Sequence, residues 1–325
     1  MSRVLTGDRP TGALHLGHYF GTVANRVRLQ RAGHEVFLVV ADYQVVTDRD
    51  RPGDLRTTIT ELVRDYLACG LDPDRTVIFP HSAVPALNQL LLPFLSLVGM
   101  GELMRNPTVK DEIRLAGRET VSGLMFTYPV HQAADILFCK GELVPVGRDQ
   151  LPHLELTRSI ARRFAERYAP VFPLPEPILG DAPVLLGLDG RKMSKSLGNA
   201  IALADPPDVV AAKIRAARTD SERTITFEPQ RRPEIATLLS IAALCTDRTP
   251  ESVANDIGSA GAAALKTLVV DAVNTALAPI HDRRVRITDA QVRDVLARGT
   301  CTANAIANNT LAEVRNVMGM DAGPL

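Results

Sequence analysis

The sequence predicts an α/β fold, in which a Rossmann-type parallel sheet domain is followed by a C-terminal helical domain. Short apolar runs alternate with helical patterns through the first two thirds of the 325 residues. From about residue 205 the strand signals stop and proline-marked helix starts take over. Alternating strands and helices indicate a parallel sheet covered on both faces. We therefore place the domains at residues 1–200 and 201–325, with the last helix free to pack back on the first domain.

The strands of the first domain are predicted from short apolar runs bounded by Gly, Pro or Asp. These runs cover residues 3–5, 36–40, 76–79 and 143–146. Helical spacing of apolar residues predicts helices over 16–31, 52–68, 86–100 and 121–138. The predicted strands and helices therefore alternate along the chain, as they do in a doubly wound sheet.

The helices of the second domain are predicted from their starts, which carry residues that favour the N-cap or the first turn. Asp205-Pro206-Pro207, Thr249-Pro250-Glu251 and Thr288-Asp289 are these starts. One apolar stripe with spacing of three and four follows: Leu265, Leu268, Val269, Ala272, Val273, Ala276 and Leu277.

Composition excludes little, because Lys+Arg and Asp+Glu both number 37. An RNA partner would have to be bound by local basic patches, although each such patch is more often a solvated helix face than a binding site. The candidates are Arg26, Arg28 and Arg31, then Arg231 and Arg232, then Arg283, Arg284 and Arg286. The N-terminus lacks the form of a signal peptide and no apolar run reaches about 18 residues, so we expect a cytoplasmic protein.

The four cysteines are scattered, which argues against a zinc site or an iron–sulfur cluster. Cys69, Cys139, Cys245 and Cys301 are expected to be small buried hydrophobic residues.

The first chemical motif is the thirteen-residue stretch from Thr6 to His18, which joins the first predicted strand to the first helix. Helix N-termini beyond the carboxyl ends of parallel strands bind phosphates. His15 and His18 lie three apart and so face the same way, although a lone histidine here is more often a cap. The whole stretch resembles the "HIGH" element of class I aminoacyl-tRNA synthetases. The resemblance implies that His15 and His18 are catalytic and that Arg9, Thr11 and Gly17 bind ATP.

The second motif, Lys192-Met193-Ser194-Lys195-Ser196, is identical to the "KMSKS" element of the same class. Such a run alone would be read as a solvated basic loop, but two motifs in the right order make coincidence improbable. Activation of an amino acid by ATP needs cations where negative charge develops on the departing pyrophosphate. The resemblance therefore implies that Lys192 and Lys195 are catalytic, and that Met193, Ser194 and Ser196 bind ATP. Magnesium is expected with the nucleotide.

Two further segments, residues 128–137 and 144–158, resemble tryptophanyl-tRNA synthetases. That resemblance implies that Asp135 accepts the indole N–H, a sensible pairing because indole carries one donor and no acceptor. It also implies that Tyr128 and Gln150 hold the amino and carboxylate groups of the substrate. The remaining residues implied to bind tryptophan are Gln132, Val146 and Gln44, and those implied to bind ATP are Lys110, Gly147 and Asp149. Asp135 could instead be a surface or capping residue, and Tyr128 and Gln150 could be ordinary buried polar residues.

The sequence also departs from the commoner bacterial enzymes, with His-Leu-Gly-His at residues 15–18 and with Gln44 and Gln132 at positions that are often His and Met. It resembles an auxiliary bacterial branch, for which we hypothesise altered sensitivity to tryptophan mimics. The resemblance further implies a tryptophan–tRNA ligase reaction, with L-tryptophan, ATP and tRNA(Trp) as partners, anticodon reading by residues 201–325 and a homodimer. A tyrosyl enzyme, a small-molecule nucleotidyltransferase and a non-catalytic RNA-binding relative remain the alternatives.

Overall fold

The computed structural model describes residues 2–47, 53–110, 121–179, 185–191, 193 and 197–320. Their strands are β1 Arg3–Asp8, β2 Glu35–Val40, β3 Thr76–Pro80, β4 Leu143–Val146 and β5 Glu176–Leu179. All five belong to one parallel sheet in the order β3-β2-β1-β4-β5. The strand order reverses between β1 and β4, which is where open α/β sheets bind their ligands.

The helices before residue 180 flank this sheet. They are α1 Leu16–His18, α2 Ala24–Arg31, α3 Leu55–Ala68, α4 Pro85–Gln89, α5 Leu91–Leu95, α6 Met100–Arg105, α7 Gly123–Leu137 and α8 Leu151–Arg167. The later helices are α9 Pro207–Ala216, α10 Pro233–Thr246, α11 Pro250–Ile257, α12 Gly261–Arg284 and α13 Asp289–Val317. Single 3₁₀ turns cover Tyr43–Thr47, His81–Ala83 and Arg148–Gln150.

The four predicted strands are confirmed, and β5 is the strand that the prediction missed. Its four residues include Glu176 and Pro177 and are exposed along most of their length, so no apolar run marks it. The predicted starts at Pro207, Thr249 and Thr288 are confirmed as well. Thr249 and Thr288 accept hydrogen bonds from the backbone N–H groups of Ser252 and Gln291 in the first turns.

Two predicted helices differ from those observed. The helix expected over 86–100 is broken into α4, α5 and the start of α6. Pro93 accounts for the first break, because it has no N–H to donate to the carbonyl of Gln89. The second break ends at Gly99, whose backbone is extended. The helix expected over 16–31 contains a π-helical turn, Tyr19–Val23, between α1 and α2. Such turns are frequent at functional sites, and this one directly follows the paired histidines.

The sheet is buried on both faces, as β2 illustrates. Leu38 and Val40 pack into a core shared with α3 and the C-terminal helices, whereas Phe37 and Val39 pack into a second core with α7 and α8. The last helix, α13, lies against β3, and a Cβ on Gly299 would stand 2.0 Å from the carbonyl oxygen of Ile78. A glycine is therefore required at this crossing.

The helix α12 is the one described helix that is long and apolar enough to cross a membrane. It packs against α10, α9 and α3 and buries Leu265, Val269, Val273 and Leu277 of the predicted stripe. This burial is that of a core helix in the C-terminal bundle, and core helices of soluble proteins pass the same test.

Two predictions from the sequence are wrong in part, namely that all four cysteines are buried and that the clustered arginines form surface patches. Cys69 and Cys139 are buried, but Cys245 is half-buried and Cys301 is exposed on α13. Arg26 and Arg232, expected among the basic patches, are buried and bound to carboxylates of Asp8 and Asp220. They are structural cations, because their charges are already neutralised inside the protein.

Candidate active site

A cavity of about 310 Å³ opens beyond the carboxyl ends of β1, β2 and β4, at the reversal of strand order. Its wall combines the end of β1 with the 3₁₀ turn after β2, α7 and the turn after β4. Lining residues include all six that were predicted to bind tryptophan, namely Gln44, Tyr128, Gln132, Asp135, Val146 and Gln150. Arg9 and Gly147, which were predicted to bind ATP, line it too.

Asp135 lies on α7 and is almost fully buried, although it lines the cavity. Its Oδ1 atom is 3.3 Å from Nδ1 of His81, which follows β3. The other ring nitrogen of His81, Nε2, accepts a hydrogen bond of 2.8 Å from the backbone N–H of Tyr43. The proton of the neutral ring is therefore on Nδ1, and it points at the carboxylate.

Tyr128 and Gln132, one turn apart on α7, are joined through His153 at the start of α8. The Tyr128 hydroxyl lies 3.2 Å from Nε2 of His153, and Nδ1 of His153 lies 3.0 Å from Oε1 of Gln132. Since Oε1 can only accept, Nδ1 carries the proton and Nε2 accepts from the tyrosine. Burial lowers the pKa of His153 to about 4, so the ring is neutral at neutral pH.

The end of β1 carries an ion pair beneath the cavity. Arg26 of α2 donates to the carboxylate of Asp8, and its Nε donates to the hydroxyl of Thr6 at 2.9 Å. The Tyr66 hydroxyl also donates to Asp8. Burial alone would raise the pKa of Asp8, but the Arg26 guanidinium outweighs it and holds the pKa at about 2. This ion pair fixes the end of β1, from which the histidine turn departs.

The histidine turn is attached to the chain that follows the lysine motif. His15 forms an antiparallel bridge with Ala202, and the backbone N–H of Leu16 donates to the carbonyl of Ile201 at 3.0 Å. The rings of His15 and His18 stack with centroids 3.7 Å apart. Nδ1 of His18 accepts from the backbone N–H of His15, which leaves the proton of the neutral His18 ring on Nε2.

The two predicted motifs meet at Gly17 and Met193. A Cβ on Gly17 would lie 3.4 Å from the Met193 sulfur and 3.1 Å from the His15 ring. Met193 is buried, and the base of its loop is closed by a hydrogen bond of 2.9 Å from the Leu188 N–H to the Asn199 carbonyl. Lys192, Ser194, Lys195 and Ser196 lie outside the described residues.

Three other residues predicted to bind ATP, namely Thr11, Asp149 and Lys110, do not line the cavity. Thr11 and Asp149 are exposed, and Asp149 follows Gly147 at the turn after β4. Lys110 is exposed in a helical segment at 107–110. The Thr108 hydroxyl holds this segment to the carbonyl of Asp149 at 2.8 Å.

Sequence reasoning missed four polar residues at this site, namely Asp42, His81, His131 and His153. The carboxylate of Asp42 accepts from the backbone N–H of Ser82 at 3.1 Å and so holds the turn that carries His81. His131 and His153 lie in the segments that resembled the tryptophanyl family, but without a pocket they had no assignable partner. For these two histidines, the only signal in the sequence was that each lies within a few residues of a residue predicted to form the site.

Comparison with known proteins identifies the family. A family model described as "tRNA synthetases class I (W and Y)" matches residues 1–278. A tryptophan–tRNA ligase of Treponema pallidum is 42% identical over 100% of this chain and 99% of its own. The chain belongs to the class I tryptophanyl-tRNA synthetases.

Solved structures of tryptophanyl-tRNA synthetases have the same fold. The enzyme from Campylobacter jejuni, complexed with ADP and tryptophan, superposes with a TM-score of 0.84 at 28% identity, covering 98% of this chain and 99% of that one. The enzyme from Mycoplasma pneumoniae gives 0.83 at 32% identity, covering 98% of each chain. The predicted α/β class, with its Rossmann-type sheet and helical C-terminal region, is confirmed.

Proposed function

We propose that this chain is a tryptophan–tRNA ligase, which activates L-tryptophan with ATP and transfers it to the 3′ adenosine of tRNA(Trp). The observation that carries the proposal is the cavity at the strand reversal, which is lined by all six residues assigned to tryptophan from the sequence. The histidine turn and Met193 stand beside each other at the end of the same sheet. Amino-acid and nucleotide chemistry thus have adjacent places in one crevice.

In this proposal Asp135 accepts the indole N–H. The carboxylate is buried, so a ligand that lacks a donor there would leave its cavity-facing acceptor without a partner, at a cost of about 1–3 kcal/mol. Tyr128 and Gln150 orient the amino and carboxylate groups, while Gln132, Gln44 and Val146 complete the pocket. Gln132 is held in place through His153.

The activation step needs no protein nucleophile, because the tryptophan carboxylate attacks the α-phosphorus of ATP and pyrophosphate leaves. The protein aligns the reactants and supplies positive charge at the departing phosphates. His18 donates from Nε2 and His15 lies against it, while Lys192, Lys195, Ser194 and Ser196 contribute from the lysine motif. Arg9, Thr11, Gly17, Lys110, Gly147, Asp149 and Met193 bind the nucleotide, which enters as its magnesium complex.

The tRNA and a second copy of the chain are the proposed macromolecular partners, and the cytoplasm is the proposed location. We assign residues 1–200 to catalysis and 201–325 to reading the anticodon. Large apolar side chains support the homodimer, since Leu92 is 73%, Met100 72% and Met104 60% exposed on α5 and α6. Large exposed apolar side chains that lie this close in the sequence favour an association surface.

The deciding experiment is ATP–pyrophosphate exchange, measured with each of the twenty amino acids in turn. Exchange with tryptophan alone is expected. Exchange with tyrosine would move the assignment to the tyrosyl branch, and a complete lack of exchange would favour a non-catalytic RNA-binding protein.

A further inference from the structure

Asp135 lies beside two buried histidines that do not line the cavity, and one of them, His81, is within hydrogen-bonding distance. His81 and His131 are 0% and 3% exposed, and their rings stack with centroids 4.7 Å apart. Each offers a ring nitrogen within 4.8 Å of a carboxylate oxygen of Asp135. The residue proposed to recognise indole is therefore held from the protein interior by a hydrogen bond to His81, with His131 packed against that ring.

The hydrogen bonds of His81 define which of its ring nitrogens donates and which accepts. The backbone N–H of Tyr43 can only donate, so Nε2 of His81 accepts and Nδ1 donates to Oδ1 of Asp135. Asp42 lies 3.3 Å from the same Nε2. Burial lowers the pKa of His81, but Asp135 and Asp42 outweigh it and raise the pKa above its usual value. In either protonation state, the Nδ1–H points at Asp135.

The ring of His131 packs against the ring of His81. Asn88 donates from Nδ2 to the carbonyls of His81 and Val84, so its Oδ1 is the acceptor for Nε2 of His131 at 2.8 Å. Burial lowers the pKa of His131 and keeps this ring neutral. It therefore packs against His81 without placing a positive charge beside the His81–Asp135 hydrogen bond.

The same three side chains satisfy the spacing of a metal site, but the hydrogen bonds argue against one. A metal ligand must offer a lone pair, and neutral imidazole offers only one. That of His81 already accepts from Tyr43 at 2.8 Å. A cation here would have to displace the Nδ1 proton and the bond to Asp135 together.

We propose that His81 is a specificity-determining positioning residue, which holds Oδ1 of Asp135 so that the carboxylate presents an acceptor to the N–H of a flat heteroaromatic substrate. His131 and Asn88 fix the plane of the His81 ring. The inference rests on the proposed function, because it assigns this role within the same tryptophan pocket. A carboxylate that is held in this way gains selectivity without contact between the histidine and the substrate.

The test compares His81→Leu with His81→Asn in pyrophosphate exchange. The Asn amide nitrogen stands where Nδ1 stood and can still donate to Asp135, whereas Leu cannot. Each variant is assayed with tryptophan and with its benzothiophene analogue, in which sulfur replaces the ring N–H. The ratio of kcat/KM for the two substrates is the readout, because a loss of folded protein affects both equally.

We expect the tryptophan-to-analogue ratio to fall about tenfold in His81→Leu, mainly through KM for tryptophan. In His81→Asn the ratio should stay within about threefold of the parent. An unchanged ratio in His81→Leu would overturn the proposal, as would an equal fall in both variants, since packing alone would then explain it. Stoichiometric zinc in the purified protein, lost in His131→Ala, would replace the proposal with a metal site.

A failure of the proposed function would be seen in the parent protein itself, and so can be told apart from a failure of the role given to His81. If the parent protein exchanges with no amino acid or with tyrosine, the ligase assignment fails and the inference fails with it. If the parent exchanges with tryptophan and the ratios do not move, only the role of His81 is refuted.

Discussion

At the scale of single residues, Asp135 is a buried carboxylate that also lines the cavity. Replacing it with alanine should weaken tryptophan binding by about 1.5–3 kcal/mol, which corresponds to about ten- to hundredfold, because the hydrogen bond from the indole N–H to the carboxylate is lost. The KM for ATP should change little. Since the chain contains no tryptophan, the fluorescence of bound tryptophan can be titrated directly. Equal losses for tryptophan and ATP would point to a folding defect instead.

His153 has no exposed surface and joins Tyr128 to Gln132, so its charge matters to the whole wall of the cavity. Its pKa of about 4 lies below the ordinary value of 6.5, because burial penalises the charged ring. The unfolded chain takes up a proton at this histidine below pH 6.5, and the folded protein does so only near pH 4. The stabilisation from the neutral ring is thus complete above pH 6.5 and is lost as the pH falls towards 4.

Lowering the pH from 7 to 5 should therefore reduce the free energy of unfolding by about 2 kcal/mol through His153. Urea unfolding of the parent and of His153→Asn at both pH values measures this contribution. Asn cannot titrate, so the variant should lose about 2 kcal/mol less than the parent over this interval. Equal losses would mean that the buried ring is not the source.

At the scale of elements, α3 connects the histidine turn to the C-terminal bundle through one buried carboxylate. Asp65 accepts from the backbone N–H of Leu14 at 3.3 Å and from Nε of Arg284, on α12, at 2.8 Å. Burial raises the pKa of Asp65 despite the neighbouring guanidinium. His281 of α12 adds a contact of 2.7 Å to the carbonyl of Leu203, beside the bridge that holds His15.

The variant Arg284→Ala should therefore lower the free energy of unfolding by about 3 kcal/mol, since it leaves the buried carboxyl group of Asp65 without its guanidinium partner. Arg298→Ala is the matched control, because Arg298 is half exposed and pairs with the exposed Asp74 and Asp294. That control should cost less than about 1 kcal/mol. Chemical denaturation measures the free energy of unfolding of both variants. Similar losses of free energy in the two would refute the role given to Asp65.

Prediction from the sequence was most accurate where an element is long or a motif is tied to chemistry. The motifs predicted that His15, Gly17 and Met193 belong to one site, and the structure places them in contact. The π-helical turn after His18 left no mark in the apolar spacing. His81 could not be predicted, because its partner Asp135 is 54 positions away and only the sheet brings them together. The functional roles assigned to the site residues stay predictions.

At the scale of the whole molecule, the exposed apolar residues of α5 and α6 predict self-association. Substituting Leu92→Lys and Met104→Glu together should shift the protein from the mass of two chains to that of one, because charges in an apolar interface are costly. Sedimentation velocity measures this shift. Val285→Lys is the control, since Val285 is 82% exposed beyond α12, and it should leave the mass unchanged. An unchanged mass in the double variant would place the interface elsewhere.

The crossing of α13 over β3 has a consequence for solubility. The open edge of a parallel sheet presents unpaired backbone groups, which can recruit strands from other chains and begin aggregation. β3 is one edge of this sheet, and Gly299 of α13 lies directly on its backbone. The opposite edge, β5, carries Glu176 and Pro177, which discourage pairing by charge and by a missing N–H. The C-terminal helix therefore also protects the β3 edge from pairing, and a chain that ends before this helix would be prone to edge-to-edge aggregation.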